Sequence, residues 1–167
     1  ELSEANRLLQ IQSNTDGLTC ISNRRHFDSM LNEEWNRSLR SGSPLAVIML
    51  DIDHFKSIND SVGHDGGDAV LKAVTQRIRQ TLRFGDVFGR YGGEEFVVLL
   101  PYIENGNAER LAEQIRVEFD SSPFRIDGTE ILIKLSIGLC TVIPTENDHP
   151  ADIVSKADIA LYEAKGA

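Results

Sequence analysis

Four carboxylates lie in two short segments that could bind a metal ion together. Asp51 and Asp53 close an apolar segment, and Glu94 and Glu95 directly follow two consecutive glycines. If these segments are neighbouring strands, their acidic side chains converge at one end of the sheet. Carboxylate oxygens are the hard ligands that Mg²⁺ prefers, so a metal–phosphate site is one interpretation. The open alternative is that Asp53 caps the next helix and that both glutamates lie at a solvated hairpin tip.

Several polar residues after the first acidic segment could bind a nucleotide. Lys56 lies near the start of a predicted helix, whose free N–H groups bind phosphate oxygens. Asn59 can donate and accept hydrogen bonds, and Asp68 can accept them from N–H groups like those of guanine. Taken singly, these three residues and His64 are also ordinary surface, turn or capping residues.

Arg83 and Asp86 form a second polar pair, at the end of a predicted helix. An arginine can bind phosphate through two parallel hydrogen bonds or stack on a base. Without further context, the pair is equally well described as a helix-end ion pair.

Composition limits the kinds of partner that the chain can bind. With 167 residues, it is long enough for one domain. Its net charge of −9 disfavours nonspecific binding to DNA, RNA or an anionic membrane surface. No apolar run approaches the roughly 20 residues needed to cross a bilayer. Cys20 and Cys140 are far apart and lack metal-ligand spacing, which favours free thiols and a cytoplasmic location.

Hydrophobic spacing predicts an α+β domain with helices covering a sheet. The predicted helices are 1–13, 22–40, 55–63, 65–82, 107–119 and one from 150 onward, and the predicted strands are 44–52, 87–91, 94–100, 123–126 and 130–143. Two-residue hairpin turns are predicted at Gly92-Gly93, on the expectation of positive φ, and at Asp127-Gly128. The near-continuous apolar run over 44–52 predicts a central strand covered on both faces. Ser22 or Asn23 is predicted to cap the second helix and Gly42 to end it. Gly63 is predicted to end the third helix, and Asp65 to cap the next.

Six segments together resemble the GGDEF family of diguanylate cyclases. In family order they are DGLTCISNRR from Asp16, LDIDHFKSIND from Leu50, GHDGGD from Gly63, RFGD from Arg83, RYGGEEF from Arg90 and ADIALYEAK from Ala157. Each segment is only moderately specific, but six in order make coincidence implausible. Glutamate at the third position of GGEEF is an accepted variant of the family motif.

The resemblance implies a palm-like nucleotidyl-cyclase fold with a mainly antiparallel central sheet covered by helices. Residues 14–167 would be a catalytic domain, truncated at its C-terminus, that converts two GTP molecules into cyclic di-GMP and two pyrophosphates. Each subunit of a homodimer would hold one GTP. Residues 1–13 would be a helical linker, able to form a coiled coil, from an upstream sensory domain that could anchor the parent protein to a membrane.

The resemblance also implies roles for the acidic residues. Mg²⁺, or Mn²⁺ in its place, would be held by Asp51, the carbonyl of Ile52 and Glu94. Glu94, or less readily Glu95, would assist deprotonation of the attacking hydroxyl. Lys56 would assist catalysis by holding phosphates. Such a reaction needs in-line positioning and charge neutralisation more than a nucleophilic side chain.

The implied substrate site extends over much of the chain. Its residues are Asn59, His64, Asp68, Gly92, Gly93 and Lys165. Asn59 and Asp68 would read guanine, and Lys165 would hold phosphates. His64 matches a substrate-contacting histidine, and the glycines would allow the nucleotide to approach the backbone closely.

Arg83 and Asp86 match the family's inhibitory site, nine and six positions before the first motif glycine. The resemblance therefore implies product inhibition by cyclic di-GMP. A non-catalytic receptor that binds cyclic di-GMP at this pair is the alternative function. A cyclase for a mixed adenine–guanine dinucleotide is disfavoured, because the Asp68 carboxylate would repel the N1 acceptor of adenine. A purely structural dimerisation module would explain none of the motifs.

Two departures from the family pattern stand out. Cys20 occupies a position at which the family often has glycine. The sequence ends at Ala167, before an arginine that in the family usually helps to bind phosphate, so weaker GTP binding is expected.

Overall fold

A computed structural model describes residues 2–166 of the chain. The predicted ranges 1–13 and 14–167 each include one terminal residue, Glu1 or Ala167, that lies outside the described residues. The elements are α1 (Leu2–Asn14), α2 (Arg24–Ser41), β1 (Leu45–Ile52), α3 (Phe55–Arg79), β2 (Val87–Arg90), β3 (Glu95–Pro101), α4 (Asn107–Ser121), β4 (Phe124–Ile126), β5 (Thr129–Ile131), β6 (Leu135–Val142) and α5 (Pro150–Gly166).

The central sheet has the strand order β2-β3-β1-β6, and every neighbouring pair is antiparallel. All eight residues of β1 are buried. This confirms the prediction of a central strand covered on both faces, which a continuous apolar run favours. The α+β fold with a mainly antiparallel sheet is therefore confirmed.

The alternating side chains of β1 contribute to two separate cores. Ala46, Ile48 and Leu50 pack with residues of α3 and α4 on one face. Val47 and Met49 pack with residues of α2 and α5 on the other face. Because side chains on a strand alternate between faces, Asp51 continues the row of Val47 and Met49 toward α5.

Close contact between α5 and β6 depends on Gly138. A Cβ atom at this residue would lie 2.1 Å from the backbone nitrogen of Leu161 and 2.4 Å from the carbonyl oxygen of Ala157. Backbone atoms cannot move aside cheaply, so only glycine allows the helix to lie this close to the strand. The position of α5 determines where Lys165, in its last turn, can reach.

The predicted ends of α2 are confirmed. Asn23 caps its start, where the side chain accepts a hydrogen bond from the backbone N–H of His26 at 2.9 Å. Gly42 ends the helix with a φ of 69°, which glycine adopts without the steric cost that a Cβ atom adds.

The prediction of one continuous strand over residues 130–143 is wrong. Thr129–Ile131 pairs with β4 in a two-stranded sheet, whereas Leu135–Val142 pairs with β1 in the central sheet. Residues 132–134 connect the two strands. The hairpin at Asp127 and Gly128 is confirmed, because both residues have positive φ and the flanking strands pair directly.

The helices predicted over 55–63 and 65–82 are halves of one kinked helix, α3. As predicted, Gly63 ends the first helical segment, because its φ of 79° and ψ of 173° are not helical. Helical geometry resumes at His64, so Asp65 lies inside the second segment and not at its cap. The prediction that Asp65 caps a second helix is therefore wrong. The helix also ends at Arg79, so that Arg83 and Asp86 lie in the turn after it.

The first helix exposes apolar side chains. Leu8, Leu9 and Ile11 are each about half exposed or more. None of the helices within residues 2–166 is both long and apolar enough to span a bilayer. Cys20 and Cys140 are free, as predicted.

The backbone at Cys20 leads to a stability prediction. Its φ is 64°, in the left-handed region that costs a residue with a Cβ atom about 1–2 kcal/mol. Cys20→Gly removes this cost but gives the unfolded chain more freedom, so we expect a net stabilisation of roughly 0.5–1 kcal/mol. The melting temperature should rise by about 1–4 °C in reducing buffer. Cys20→Ser, which keeps the Cβ atom, is the control and should not raise it. Equal melting temperatures for Cys20→Gly and the control would show that the backbone conformation at Cys20 carries no energetic cost.

Candidate functional site

The predicted meeting of the two acidic segments is present at one end of the central sheet. Asp51 lies directly opposite Glu95 in the register of β1 and β3. The N–H of Ile52 donates to the carbonyl of Glu94 at 3.3 Å. Asp51 and Glu95 therefore form the adjacent non-hydrogen-bonded pair, whose Cα atoms are typically about 4.5 Å apart. Like charges are thus held close together by the backbone pairing itself.

Burial and mutual repulsion perturb both glutamates. Burial, followed by the charge of Asp51, raises the pKa of the Glu94 carboxyl, and Lys165 partly opposes this. Burial and Asp51 likewise raise the pKa of Glu95, with a further contribution from Asp158. Perturbed carboxylates that share a neighbour are typical of functional sites.

Lys165 is the counter-ion of this cluster. Its Nζ donates to Oδ2 of Asp51 at 2.5 Å. The hydrogen bond to Asp51 is the main cause that raises the pKa of Lys165. The other carboxylate oxygen of Asp51, Oδ1, is buried and has no hydrogen-bond partner among the described residues. A buried charge of this kind is costly unless a cation is close by.

The donor set fits a divalent cation that is also bound by ligands from outside the chain. Asp51 and Glu94 supply two carboxylates, and the unpartnered Oδ1 of Asp51 is the kind of hard oxygen that Mg²⁺ takes. Residues 2–166 contain no group of three or more histidine, cysteine, aspartate or glutamate side chains arranged as metal ligands. Phosphate oxygens and water would therefore complete the coordination, as is usual for Mg²⁺.

A polar cavity of about 360 Å³ adjoins the cluster. It is lined by Asp53, His54, Ser136, Ala164 and Lys165. Helix α3 begins directly after His54, and the side chain of His54 does not cap the first N–H groups of that helix. Free N–H groups and an ammonium together favour an anion such as phosphate.

Asp53 has neither of the two predicted roles. The strand ends at Ile52, so Asp53 does not continue the row of Asp51. It does not cap α3 either, since its Oδ1 accepts a hydrogen bond from Ser136 Oγ at 2.5 Å. Lys56 is exposed in the first turn of α3, next to the cavity lining.

The two predicted base-reading residues, Asn59 and Asp68, lie on opposite sides of the kink in α3 along the chain. The side chain of Asn59 occupies the space above Gly67, where a Cβ atom would lie 2.0 Å from its Oδ1. Asp68 follows directly and is exposed. His64, which directly follows the kink at Gly63, is exposed. A glycine is required at residue 67 if Asn59 is to keep this position.

The predicted two-residue glycine turn is wrong. The loop between β2 and β3 runs over residues 91–94, and neither Gly92 nor Gly93 has a positive φ. A Cβ atom at Gly93 would meet no described atom within 4 Å, and one at Gly92 would make only ordinary contacts with Glu95. The fold therefore does not need glycine here, and the space above the loop stays open to a ligand.

Arg90 and Asp16 support the glycine loop, and the sequence analysis assigned neither a role. The guanidinium of Arg90 donates to the carbonyls of Gly92 at 3.2 Å and Gly93 at 2.7 Å, and to the carboxylate of Asp16 at 3.1 Å. Asp16 also accepts hydrogen bonds from the N–H and hydroxyl of Thr19. Both charged residues stand in motif segments, which was the only available signal.

Arg83 and Asp86 are joined in the turn before β2. The Arg83 backbone N–H and Nη2 donate to the Asp86 carboxylate at 2.7 and 2.8 Å, and Nη2 also donates to the carbonyl of Pro101. Arg37, Phe84 and Tyr102 line the same cleft of about 270 Å³. Since Pro101 and Glu95 are the two ends of β3, this pair lies roughly 20 Å along the strand from the acidic cluster.

An antiparallel sheet that presents carboxylates beside an ammonium-lined cavity defines a domain suited to a metal–phosphate ligand. A family model described as diguanylate cyclase, GGDEF domain, matches residues 13–167. The chain therefore belongs to the GGDEF domain family, as its motifs predicted.

Individual relatives agree with this assignment. The chain is 38% identical to the probable diguanylate cyclase DgcC of Escherichia coli strain K12 over 168 aligned residues, which cover 100% of this chain and 44% of DgcC. It is 40% identical to the response regulator PleD of Caulobacter vibrioides strain NA1000, over 92% of this chain and 34% of PleD. The chain thus spans less than half the length of these curated relatives.

A solved structure has the same fold. The coiled coil and GGDEF domain of DgcB from Caulobacter crescentus, in complex with c-di-GMP, superposes with a TM-score of 0.92 at 31% identity. The match covers 99% of this chain and 87% of the DgcB chain.

The support of the loop by Asp16 leads to a pH-dependent prediction. Although burial alone would raise it, hydrogen bonds from Thr19 and Arg90 lower the pKa of Asp16. Asp16→Asn should therefore lower the free energy of unfolding by about 1–2 kcal/mol at pH 7. Because the folded pKa is the lower one, this difference should persist above about pH 4 and shrink as the pH falls through the folded value.

Urea denaturation at a series of pH values measures the difference. Asp120→Asn, which removes an exposed partner of Arg116, is the control and should cost less than about 0.5 kcal/mol. An equal, pH-independent loss of unfolding free energy in both variants would show that Asp16 stabilises the fold no more than an exposed aspartate does.

Proposed function

We propose that this chain is the catalytic domain of a diguanylate cyclase, which condenses two GTP molecules into cyclic di-GMP across a homodimer. The observation that carries the proposal is the pairing of Asp51 with Glu95, next to Glu94, at a strand end that adjoins the cavity with Lys165. It supplies metal ligands and phosphate-binding groups in one place. The names of DgcC, and of DgcB with its bound c-di-GMP, support the same activity.

The substrate would be held from both ends. Asn59, which lies against Gly67, and the exposed Asp68, which follows Gly67 in the chain, would bind the guanine edge, and exposed His64 would contact the nucleotide beside them. Lys56 and Lys165 would bind the phosphates, with help from the first N–H groups of α3. The open backbone of the loop over 91–94 would let the nucleotide lie close above Gly92 and Gly93.

The chemistry would be two successive nucleotidyl transfers. The 3′-hydroxyl oxygen of one GTP forms a bond to the α-phosphorus of the other, the bond from that phosphorus to the bridging oxygen breaks, and pyrophosphate leaves. Glu94, or less readily Glu95, would accept the hydroxyl proton, and its raised pKa makes it a better acceptor. Mg²⁺, or Mn²⁺, held by Asp51, the Ile52 carbonyl and Glu94, would neutralise phosphate charge when bound.

Each site would hold one GTP, so two domains must face each other. The exposed Leu8, Leu9 and Ile11 of α1 could pair with a second copy as a coiled coil. The coiled coil of DgcB precedes a GGDEF domain that superposes on this chain, which supports the same arrangement here. An upstream sensory domain would then control how the two halves meet. Free thiols and a GTP substrate favour a cytoplasmic location for this domain.

Product would bind at Arg83 and Asp86 and restrain synthesis. The pair is preformed by four hydrogen bonds, and the cleft beside it contains a second arginine and two aromatic rings that suit a nucleobase and a phosphate. The same observation favours the second candidate function, a non-catalytic receptor for cyclic di-GMP. Turnover of GTP with Mg²⁺ by the purified chain, alone and fused to a dimeric coiled coil, distinguishes the two.

Gly93→Val tests the loop as part of the active site. The added side chain has room in the fold, so the melting temperature should change by no more than about 2 °C. It would occupy the space that the nucleotide needs, and cyclic di-GMP synthesis should fall at least a hundredfold in a chromatographic assay. Gly93→Ala is the graded control and should lose less activity. Wild-type turnover by the valine variant would rule out the loop as the site.

Arg83→Ala tests the inhibitory site. Loss of the guanidinium should raise the concentration of cyclic di-GMP that halves the initial rate at least tenfold, because one arm of the product site is gone. Arg110→Ala, an exposed arginine on α4, is the matched control and should keep the wild-type value. An unchanged inhibition curve in the Arg83 variant would disprove feedback through this pair.

A further inference from the structure

Lys165 is the counter-ion of Asp51, the carboxylate that the proposed function assigns to a metal ion. It contacts Oδ2 of Asp51 at 2.5 Å, and its charge is also coupled to Glu94 and Asp53. Asp51 is only 5% exposed and lies opposite Glu95. Lys165 is therefore a cation that offsets the repulsion within this cluster.

A divalent cation and this ammonium cannot share Asp51 at low cost. The two oxygens of a carboxylate are about 2.2 Å apart, so cations on both would lie within a few ångströms of each other. Their repulsion is large where water is partly excluded. A free divalent cation on Oδ1 would therefore bind against the repulsion of the ammonium on Oδ2, and if Lys165 moves away, the ammonium loses its closest anionic partner.

An anion in the adjoining cavity would offer Lys165 an alternative partner. Lys165 lines this cavity together with His54, Ser136 and the start of α3. Its side chain is 40% exposed, so it can turn without repacking of the core. Asp53, the anionic group of the lining, already accepts a hydrogen bond from Ser136. A polyphosphate in the cavity would supply the missing partner.

We propose that Lys165 makes the acidic strand end selective for a divalent cation that arrives with a polyphosphate, and disfavours the free cation. The inference rests on the proposed function, whose metal–triphosphate site it deepens. Metal and nucleotide then strengthen each other's binding, because the nucleotide draws Lys165 away from Asp51 and the metal replaces its charge. Such a coupling is reciprocal, and typical couplings change affinity by about 5–150-fold.

Binding measurements with Mn²⁺ as the probe test this without turnover. Lys165→Met should bind free Mn²⁺ about tenfold more tightly than wild type in an electron paramagnetic resonance titration, because no ammonium competes. The same variant should bind the Mn²⁺ complex of the α,β-methylene analogue of GTP at least fivefold more weakly in calorimetry. Tighter binding of free Mn²⁺ together with weaker binding of the Mn²⁺–nucleotide complex distinguishes a residue that sets selectivity from one with another role. A lysine that only binds phosphate would leave Mn²⁺ affinity unchanged, and a purely structural lysine would weaken both.

Three further variants make the result decisive. Lys165→Gln should behave as Lys165→Met does, and Lys165→Arg, which keeps the charge, should resemble wild type. Lys156→Met removes the same charge from the exposed face of the same helix and should change neither affinity. Circular dichroism checks the fold of each variant. Unchanged or weaker binding of free Mn²⁺ to both Lys165→Met and Lys165→Gln would overturn the proposal.

The outcome separates this inference from the proposed function. Adding Asp51→Asn to Lys165→Met should abolish the gain in Mn²⁺ affinity, and persistence of the gain would overturn the inference. If wild type fails to bind the Mn²⁺–nucleotide analogue at all, the cyclase proposal fails. If Lys165→Met nevertheless binds free Mn²⁺ more tightly, and this gain depends on Asp51, the ammonium of Lys165 competes with the metal for this carboxylate.

Discussion

The structure depends on a carboxylate held at the end of a buried strand. Asp51 belongs to a strand with both faces covered, so water cannot fully solvate its charge. The register of β1 and β3 then places Glu95 directly opposite, where repulsion adds to the cost. A cation offsets this cost, and Lys165 supplies one from the last helix. A strand end that needs positive charge is well suited to a metal–phosphate ligand.

The glycine loop is supported from below and left open above. The guanidinium of Arg90 contacts the carbonyls of both glycines and the carboxylate of Asp16, two residues after the end of α1. The segment that follows the first helix is thereby connected by hydrogen bonds to the loop where the nucleotide would lie. Rigid support on one side and free space on the other allow a close approach without a loss of order.

Most elements could be predicted from local patterns. The buried strand β1, the caps of α2 and the turn at Asp127 and Gly128 follow from apolar runs, capping residues and turn residues, and all are confirmed. The strand over 130–143 could not be divided correctly, because an apolar run does not show that the chain leaves one sheet for another. The glycines at 92 and 93 were expected for backbone freedom, but their φ angles do not require glycine.

The amino-acid sequence by itself determined the family, through six motif segments in order, and it supplied carboxylates and lysines of the kinds that can bind a metal ion and phosphate. It could not determine that Lys165 pairs with Asp51, 114 residues away, or that Arg90 supports the loop through Asp16, 74 residues away. Those contacts depend on how closely whole elements pack, as at Gly138, where a single added carbon would push α5 off the sheet. Residue types and spacing act locally, whereas a charge finds its partner only after helices and strands have packed.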